Sequence, residues 1–355
     1  MHAAALRLTP SQALSQFLAA LPKVELHIHL VGSASPASIA TLAQRHGADD
    51  VPADERAVTQ WLEFEDFPAF ARAYGRVSRL VLDGDDVLHL VMALGQRLAE
   101  NNVRYAEVTV TPLTHLEVGV EPEALAQALA LGAQRVATEH GVELGWIFDI
   151  SGDLGVDAGV RTLEWIRRYA PTGTLALGLG GPEVGVPRVE FAEVFAQARA
   201  LGLHSAPHAG ETDGPTSVWA AVKHLGAERV GHGIRSVDDA ALLAHLAEAG
   251  VVLEVCPTSN VKTGATASYD VHPLGDLLAA GVAATLGTDN PGLFATDLVT
   301  EYRRCHERLG LETQALLSLV QAGVDGAFCT SSTRARLHRE IDAVVDAWRT
   351  HGLAR

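Results

Sequence analysis

Val24-Glu25-Leu26-His27-Ile28-His29-Leu30 decides how the chain is read, because it is the first of eight short β-rich runs separated by amphipathic stretches. After residues 24–30, similar runs occupy 103–110, 144–150, 175–179, 203–207, 229–232, 251–255 and 282–287. Between them, 121–138, 189–201 and 238–249 place apolar side chains at helical spacing and are long enough to cross back over a sheet. Alternating strands and helices predict an α/β chain with a parallel sheet, and eight such units predict a closed (β/α)8 barrel.

One interval breaks the rhythm. Residues 31–102 separate the first two runs and are too long for a single crossover, so they read as a helical insertion after the first strand. Its clearest helices fall at 36–46 and 85–100, with an aromatic segment at 61–74 between them. Phe64, Phe67, Phe70 and Tyr74 suit either ordinary core or a lid over the barrel mouth. No repeat, low-complexity tract or linker divides the chain, which predicts one domain over 1–355.

Composition bounds the function. The 355 residues are 48% hydrophobic and 20% charged, with a formal net charge of -16, which describes a soluble globular protein and speaks against nucleic acid or anionic membrane as a partner. Small substrates fit better, although acidity also serves solubility alone. Cys256, Cys305 and Cys329 show neither close pairing nor CxxC spacing, which suggests a reducing cytoplasm. Residues 1–23 lack a basic start and a continuous apolar segment, so a signal peptide is not expected, and no apolar run is long enough to span a membrane. The Leu- and Ala-rich outer helices suit core packing or a homo-oligomer equally.

The polar residues sit at strand ends, where barrels of this kind place their chemistry. His27 and His29 alternate along the first strand and so share one face. A solitary HxH is usually accidental. His208 at the end of the fifth run and Asp289 after the eighth change that reading, because three imidazoles and one carboxylate suit zinc and leave room for water. His232, between Gly231 and Gly233, is placed either to take the proton of an activated water or to cap its strand. Glu211, three residues after His208, is either an acid acting on the substrate or a solvated loop residue.

These residues resemble the adenosine deaminase branch of the amidohydrolase superfamily over nearly the whole chain. The resemblance rests on Lys23 through Leu30, Val103-Arg104-Tyr105-Ala106-Glu107, His208-Ala209-Gly210-Glu211, Arg229-Val230-Gly231-His232-Gly233, Glu254-Val255-Cys256-Pro257 and Thr288-Asp289, in that order. It implies a TIM barrel with one Zn2+ per chain that hydrolyses the 6-amino group of a purine nucleoside, releasing ammonia. By the same resemblance His27, His29, His208 and Asp289 bind zinc, Glu211 protonates purine N1, and His232 with Asp289 orients and deprotonates water. Gly181, in Gly180-Gly181-Pro182-Glu183, would meet purine N3 through its N–H, and His29, Gly181 and Asn290 would contact the substrate. Two other zinc hydrolase patterns are absent. Cys256-Pro257-Thr258-Ser259 replaces the P-C-x-x-C of the cytidine-type deaminases, and residues 140–190 lack the lysine that binuclear amidohydrolases carbamylate.

Two departures concern the substrate. Val31 stands where adenosine deaminases commonly carry an acid for the ribose 5′-hydroxyl, and Gly32-Ser33-Ala34-Ser35-Pro36 looks more like the actinobacterial branch that deaminates aminodeoxyfutalosine for menaquinone biosynthesis. The carboxylate of that nucleoside calls for a basic partner, yet the nearby positions are Ala37, Ser38 and Ile39. Asn290 replaces an aspartate that, protonated, donates to purine N7; an amide donates without a raised pKa, and its carbonyl also accepts. The alternatives are therefore adenosine, aminodeoxyfutalosine, a modified natural-product nucleoside, the same barrel hydrolysing a different amine or amide, or a catalytically silent nucleoside-binding protein.

Overall fold

A computed structural model describes residues 10–64 and 67–350. Residues 1–9, the start of the segment read for a signal peptide, lie outside the described residues, as do 65 and 66 within the aromatic segment. The strands are β1 (Lys23–His29), β2 (Val103–Val110), β3 (Glu143–Ser151), β4 (Thr174–Gly180), β5 (His204–Ser205), β6 (His208–Ala209), β7 (Arg229–His232), β8 (Val252–Val255) and β9 (Ala284–Leu286). All pair in parallel, in the orders β1-β2-β3-β4-β5 and β6-β7-β8-β9.

Backbone bonds join the two sheets into one closed barrel. Glu228 N–H donates to Ser205 O at 3.0 Å and Gly231 N–H to Pro207 O at 3.0 Å, linking β5 to β7. On the other side a parallel bridge pairs Ile28 with Asp289, with His29 N–H on Asp289 O at 2.8 Å and Asp289 N–H on His27 O at 2.9 Å. The seam of the barrel thus runs through three of the polar strand-end residues.

The fifth β-rich run, 203–207, is a split strand rather than one continuous strand: Ala206 and Pro207 separate β5 from β6, and proline has no N–H to give a ladder. His208 accordingly begins a short strand instead of ending a long one. The stretch 189–201 likewise resolves into a 3-10 turn, Arg188–Phe191, followed by the helix Ala192–Ala200.

Between β1 and β2 the chain forms a 3-10 turn, Val31–Ser33, and four helices: Pro36–His46, Glu55–Trp61, Phe67–Ser78 and Gly84–Glu100. The first starts with Ser35, whose side chain accepts from Ser38 N–H, and Pro36 at the first helical position; it ends at Gly47, in the left-handed region with φ 61. Asp54 and Asp83 cap the second and fourth in the same manner.

The barrel's N-terminal end is closed by charge. Arg229, 1% exposed, donates to Glu254 Oε1 and Glu107 Oε2, each at 2.5 Å, and to Gly326 O at 2.9 Å. Its guanidinium lies over Phe328, whose ring stacks on His204 at 4.0 Å between centroids. A buried guanidinium between two carboxylates is tolerable only because its hydrogen bonds are satisfied.

Candidate active site

At the opposite end, the C-terminal ends of the strands surround a cavity of about 340 Å³, walled on one side by Phe67, Phe70 and Tyr74. A larger groove of about 900 Å³ opens near Phe328 at the N-terminal end. Its cations are already engaged: Arg229 with the two glutamates, and Arg334 with the carbonyls of Val324, Asp325 and Ala327. The smaller cavity contains the convergent proton-handling groups.

Strand alternation turns both His27 and His29 inward. His27 Nδ1 lies 2.8 Å from Glu254 Oε2 on β8, while its Nε2 is buried without a hydrogen-bond partner among the described residues. His29 Nε2 lies 3.2 Å from His208 Nε2 and 3.2 Å from Asp289 Oδ1, and His27 Nε2 is 3.7 Å from the same oxygen. At that separation one neutral ring can donate to the other, and a cation between them would instead take the lone pairs of both. Donor atoms of His27, His29 and Asp289 lie within 4.8 Å of one another, as do those of His27, His208 and His232. Three imidazoles, one carboxylate and an orphaned buried nitrogen fit a divalent metal of zinc's coordination preference.

Asp289 and His232 both hold φ near 60, a conformation side chains rarely adopt, and both end at the cluster. Ser259 Oγ donates to Asp289 Oδ2 at 2.5 Å and Asn290 Nδ2 to Oδ1 at 2.7 Å. Burial opposes the Asp289 charge, but His27 and His29 outweigh it and hold the carboxyl well below its ordinary range. Burial likewise opposes charge on His27, and there the Asp289 and Glu254 carboxylates win, raising it to about 10. His208 is pushed well below its ordinary value by burial and the neighbouring imidazoles.

Gly231 is required by packing: a Cβ there would lie 2.8 Å from His27 Cε1 and 3.1 Å from His208 Cγ. The next residue, His232, is 1% exposed. Burial and the adjacent His27 lower it to about 3, so the ring is neutral. Asn260 bridges His232 Nδ1 at 3.1 Å and His272 Nε2 at 3.2 Å, linking the tautomers of the two rings.

Glu211 Oε2 lies 3.6 Å from His232 Nε2, and Thr263 Oγ1 donates to Glu211 Oε1 at 3.2 Å. Burial first, then Asp289 and Glu183, pushes its carboxyl up to about 8, which keeps it an acid at neutral pH. The loop bearing Glu211 is pinned by Glu183, which accepts from the N–H groups of Gly210 (2.6 Å), Glu211 (2.7 Å) and Thr212 (3.1 Å) and from Ser217 Oγ at 2.8 Å. This anchor, like Glu254 behind His27, was visible in the sequence only as part of a motif.

The structure brings His29, His208, Glu211, His232, Asp289, Asn290 and Gly181 to one cavity, with His27 buried behind them. Asn290 Oδ1 is buried without a partner among the described residues. Val31 is buried in the 3-10 turn after β1 and does not line the cavity, and neither lysine nor arginine is among the lining residues. Phe67, Phe70 and Tyr74 line it, while Phe70 also packs on Phe294 at 4.8 Å between centroids, so the aromatic segment serves both core and wall. Sequence reasoning missed Asp149 on β3, a buried cavity residue raised to about 6 by burial, and an isolated acid inside a β-run carries no signal of its own.

The chain is similar to known deaminases along nearly its whole length. The adenosine deaminase family profile matches residues 22–344. An aminodeoxyfutalosine deaminase from Streptomyces avermitilis is 42% identical over 94% of this chain and 94% of its own length. An adenine deaminase from Rhodospirillum rubrum is 35% identical over 92% of this chain and 98% of its own. Among solved structures, adenine deaminase from Arthrobacter aurescens superposes with a TM-score of 0.88 at 27% identity, covering 92% of this chain and all (100%) of that one. An amidohydrolase from B. ambifaria with bound zinc also gives 0.88, at 25% identity, covering 98% of this chain and 97% of that one.

Proposed function

Because the chain belongs to the adenosine deaminase family, we propose that it deaminates a 5′-modified adenosine hydrolytically, at one zinc ion held by His27, His29, His208 and Asp289. The observation that carries this reading is Glu211: a buried acid, kept protonated at neutral pH, 3.6 Å from a neutral His232 and in the same cavity as the histidine–aspartate cluster.

Bound there, zinc supplies Lewis acidity that makes water nucleophilic near neutral pH. The chain's own residues do the rest. Glu211 gives its proton to purine N1, so that the C6=N1 electron pair moves to N1 as the water oxygen forms its bond to C6. His232 and Asp289 together orient the water and take the proton it loses. That proton passes to the 6-amino group, the C6–N bond breaks as the C6 hydroxyl returns a proton to Glu211, and ammonia leaves with the 6-oxo purine behind. On this reading Gly181, which lines the cavity at φ 77, gives its N–H to purine N3, and Asn290 offers a donor to N7. Positioned acid and base contribute about 10² to 10⁴-fold in reactions of this type.

The chain operates as one barrel domain whose 31–102 insertion supplies a wall of the cavity through Phe67–Ser78. The aromatic wall suits a bulky aryl-bearing group at the nucleoside's 5′ end, in line with the aminodeoxyfutalosine deaminase relatives. We place it in the cytoplasm, where the free thiols Cys256, Cys305 and Cys329 remain reduced. A homo-oligomer is compatible with the Leu- and Ala-rich outer helices. The test is ammonia release from adenosine, 5′-methylthioadenosine and aminodeoxyfutalosine, with Glu211→Gln as the control that retains zinc but not turnover.

A further inference from the structure

The cavity holds one acid that the chemistry above leaves idle. Asp149 stands on the inner face of β3, two residues from Ile147 and two from Ser151, and is 3% exposed. Its Oδ1 is buried and has no hydrogen-bond partner among the described residues. Strand β4 makes room for it. Register pairs Asp149 with Gly178 and Ser151 with Gly180; a Cβ on Gly178 would lie 2.6 Å from Oδ1, and one on Gly180 2.4 Å from Oδ2. The carboxylate thus lies across two glycines, directly before Gly181, and Asp149 and Gly181 line the same cavity.

A buried carboxylate is costly without donors; Oδ1 is closed off against Gly178, so a group entering the cavity meets the carboxylate at Oδ2, beside Gly180. A 6-aminopurine nucleoside has few donors to offer. Its amine is the reacting group and belongs beside Glu211, His232 and Asp289. The ring nitrogens N1, N3 and N7 carry lone pairs. Only the sugar hydroxyls remain. With N3 at Gly181, the nearest donor on that edge is the ribose 2′-hydroxyl, because C1′ is bonded to N9, two bonds from N3 through C4.

We propose that Asp149 is a specificity-determining residue that accepts a hydrogen bond from the substrate's ribose 2′-hydroxyl, so that the site selects ribonucleosides over 2′-deoxyribonucleosides. The assignment rests on the deaminase reading and on N3 at Gly181.

The experiment compares kcat/KM for adenosine and 5′-methylthioadenosine, each against its 2′-deoxy counterpart, in the zinc-loaded parent protein, Asp149→Ala and Asp149→Asn. A hydrogen bond to a charged acceptor predicts a parental preference of about 10- to 100-fold for the ribose form. Asp149→Ala should reduce that ratio to within about threefold by slowing the ribose substrates alone, and Asp149→Asn, which keeps an acceptor, should retain an intermediate preference. Zinc content should be unchanged in both variants. Equal losses on ribose and 2′-deoxyribose substrates would overturn the assignment, as would loss of zinc, which would mean that Asp149 acts through His29. A parent that deaminates none of the four, and aminodeoxyfutalosine no better, would overturn the deaminase reading and the assignment with it.

Discussion

Glu254→Gln tests how the cluster is held. Two donors face the two Glu254 oxygens: Arg229 Nε–H at 2.5 Å from Oε1, and His27 Nδ1 at 2.8 Å from Oε2. A carboxylate satisfies both. An amide has one acceptor and one NH2, so the substituted side chain either turns its NH2 against Arg229 or presents it to His27 Nδ1. The second arrangement requires the opposite His27 tautomer, with its proton on Nε2, the buried atom that has no hydrogen-bond partner among the described residues and points into the cluster. Either way a ligand is misoriented or blocked. Carboxylate partners behind metal-bound histidines are worth about 10- to 100-fold in metal affinity, or roughly 1.4 to 2.8 kcal/mol. Zinc affinity measured by chelator competition should therefore weaken by about that factor, while the metal-free protein, whose Arg229 keeps Glu107 at 2.5 Å and Gly326 O at 2.9 Å, changes its melting temperature less than the zinc-loaded protein does. Unchanged zinc affinity, or equal losses of stability with and without metal, would refute the positioning role.

Other outcomes follow from the same geometry. Glu211→Gln should lower kcat by about 10² to 10⁴-fold with zinc retained, and undiminished turnover would contradict the proton role. In the parent, kcat/KM should fall on the alkaline side as Glu211, raised to about 8 by burial and nearby carboxylates, loses the proton it donates; a profile flat through that range would count against the assignment. His208→Ala should abolish stoichiometric zinc binding, measured by elemental analysis of the purified protein. Asn290→Asp sets a carboxyl where an amide now donates to Asp289 at 2.7 Å, so the variant should show a second decline in activity with rising pH as that carboxyl ionises, one that the parent lacks. A pH profile identical to the parent's would show that the contact to Asp289 is dispensable.

The fold was legible wherever a strand was a continuous β-rich run. Residues 103–110 and 229–232 coincide with β2 and β7 because nothing within them interrupts the ladder. Pro207 does interrupt it, and the split between β5 and β6 depends on which backbone groups its neighbours need, a fact of register rather than of local sequence. Within the cavity, His27, His29, His208, Glu211, His232 and Asp289 could be read because each is an unusual residue type at a strand end. The residues that hold them could not. Glu254 and Glu183 act on side chains or N–H groups 227 and 27 or more positions away, and only the closed barrel sets those meetings. Val31 reads as a lost substrate contact in sequence, yet it faces the core of the turn rather than the cavity.

Ammonia release per nucleoside consumed is the decisive measurement, made with zinc-loaded protein on adenosine, 5′-methylthioadenosine and aminodeoxyfutalosine. One ammonia for each 6-oxo product formed, lost in Glu211→Gln at unchanged zinc content, is the predicted result. Binding of these nucleosides without ammonia, in a protein carrying its full complement of zinc, would contradict it.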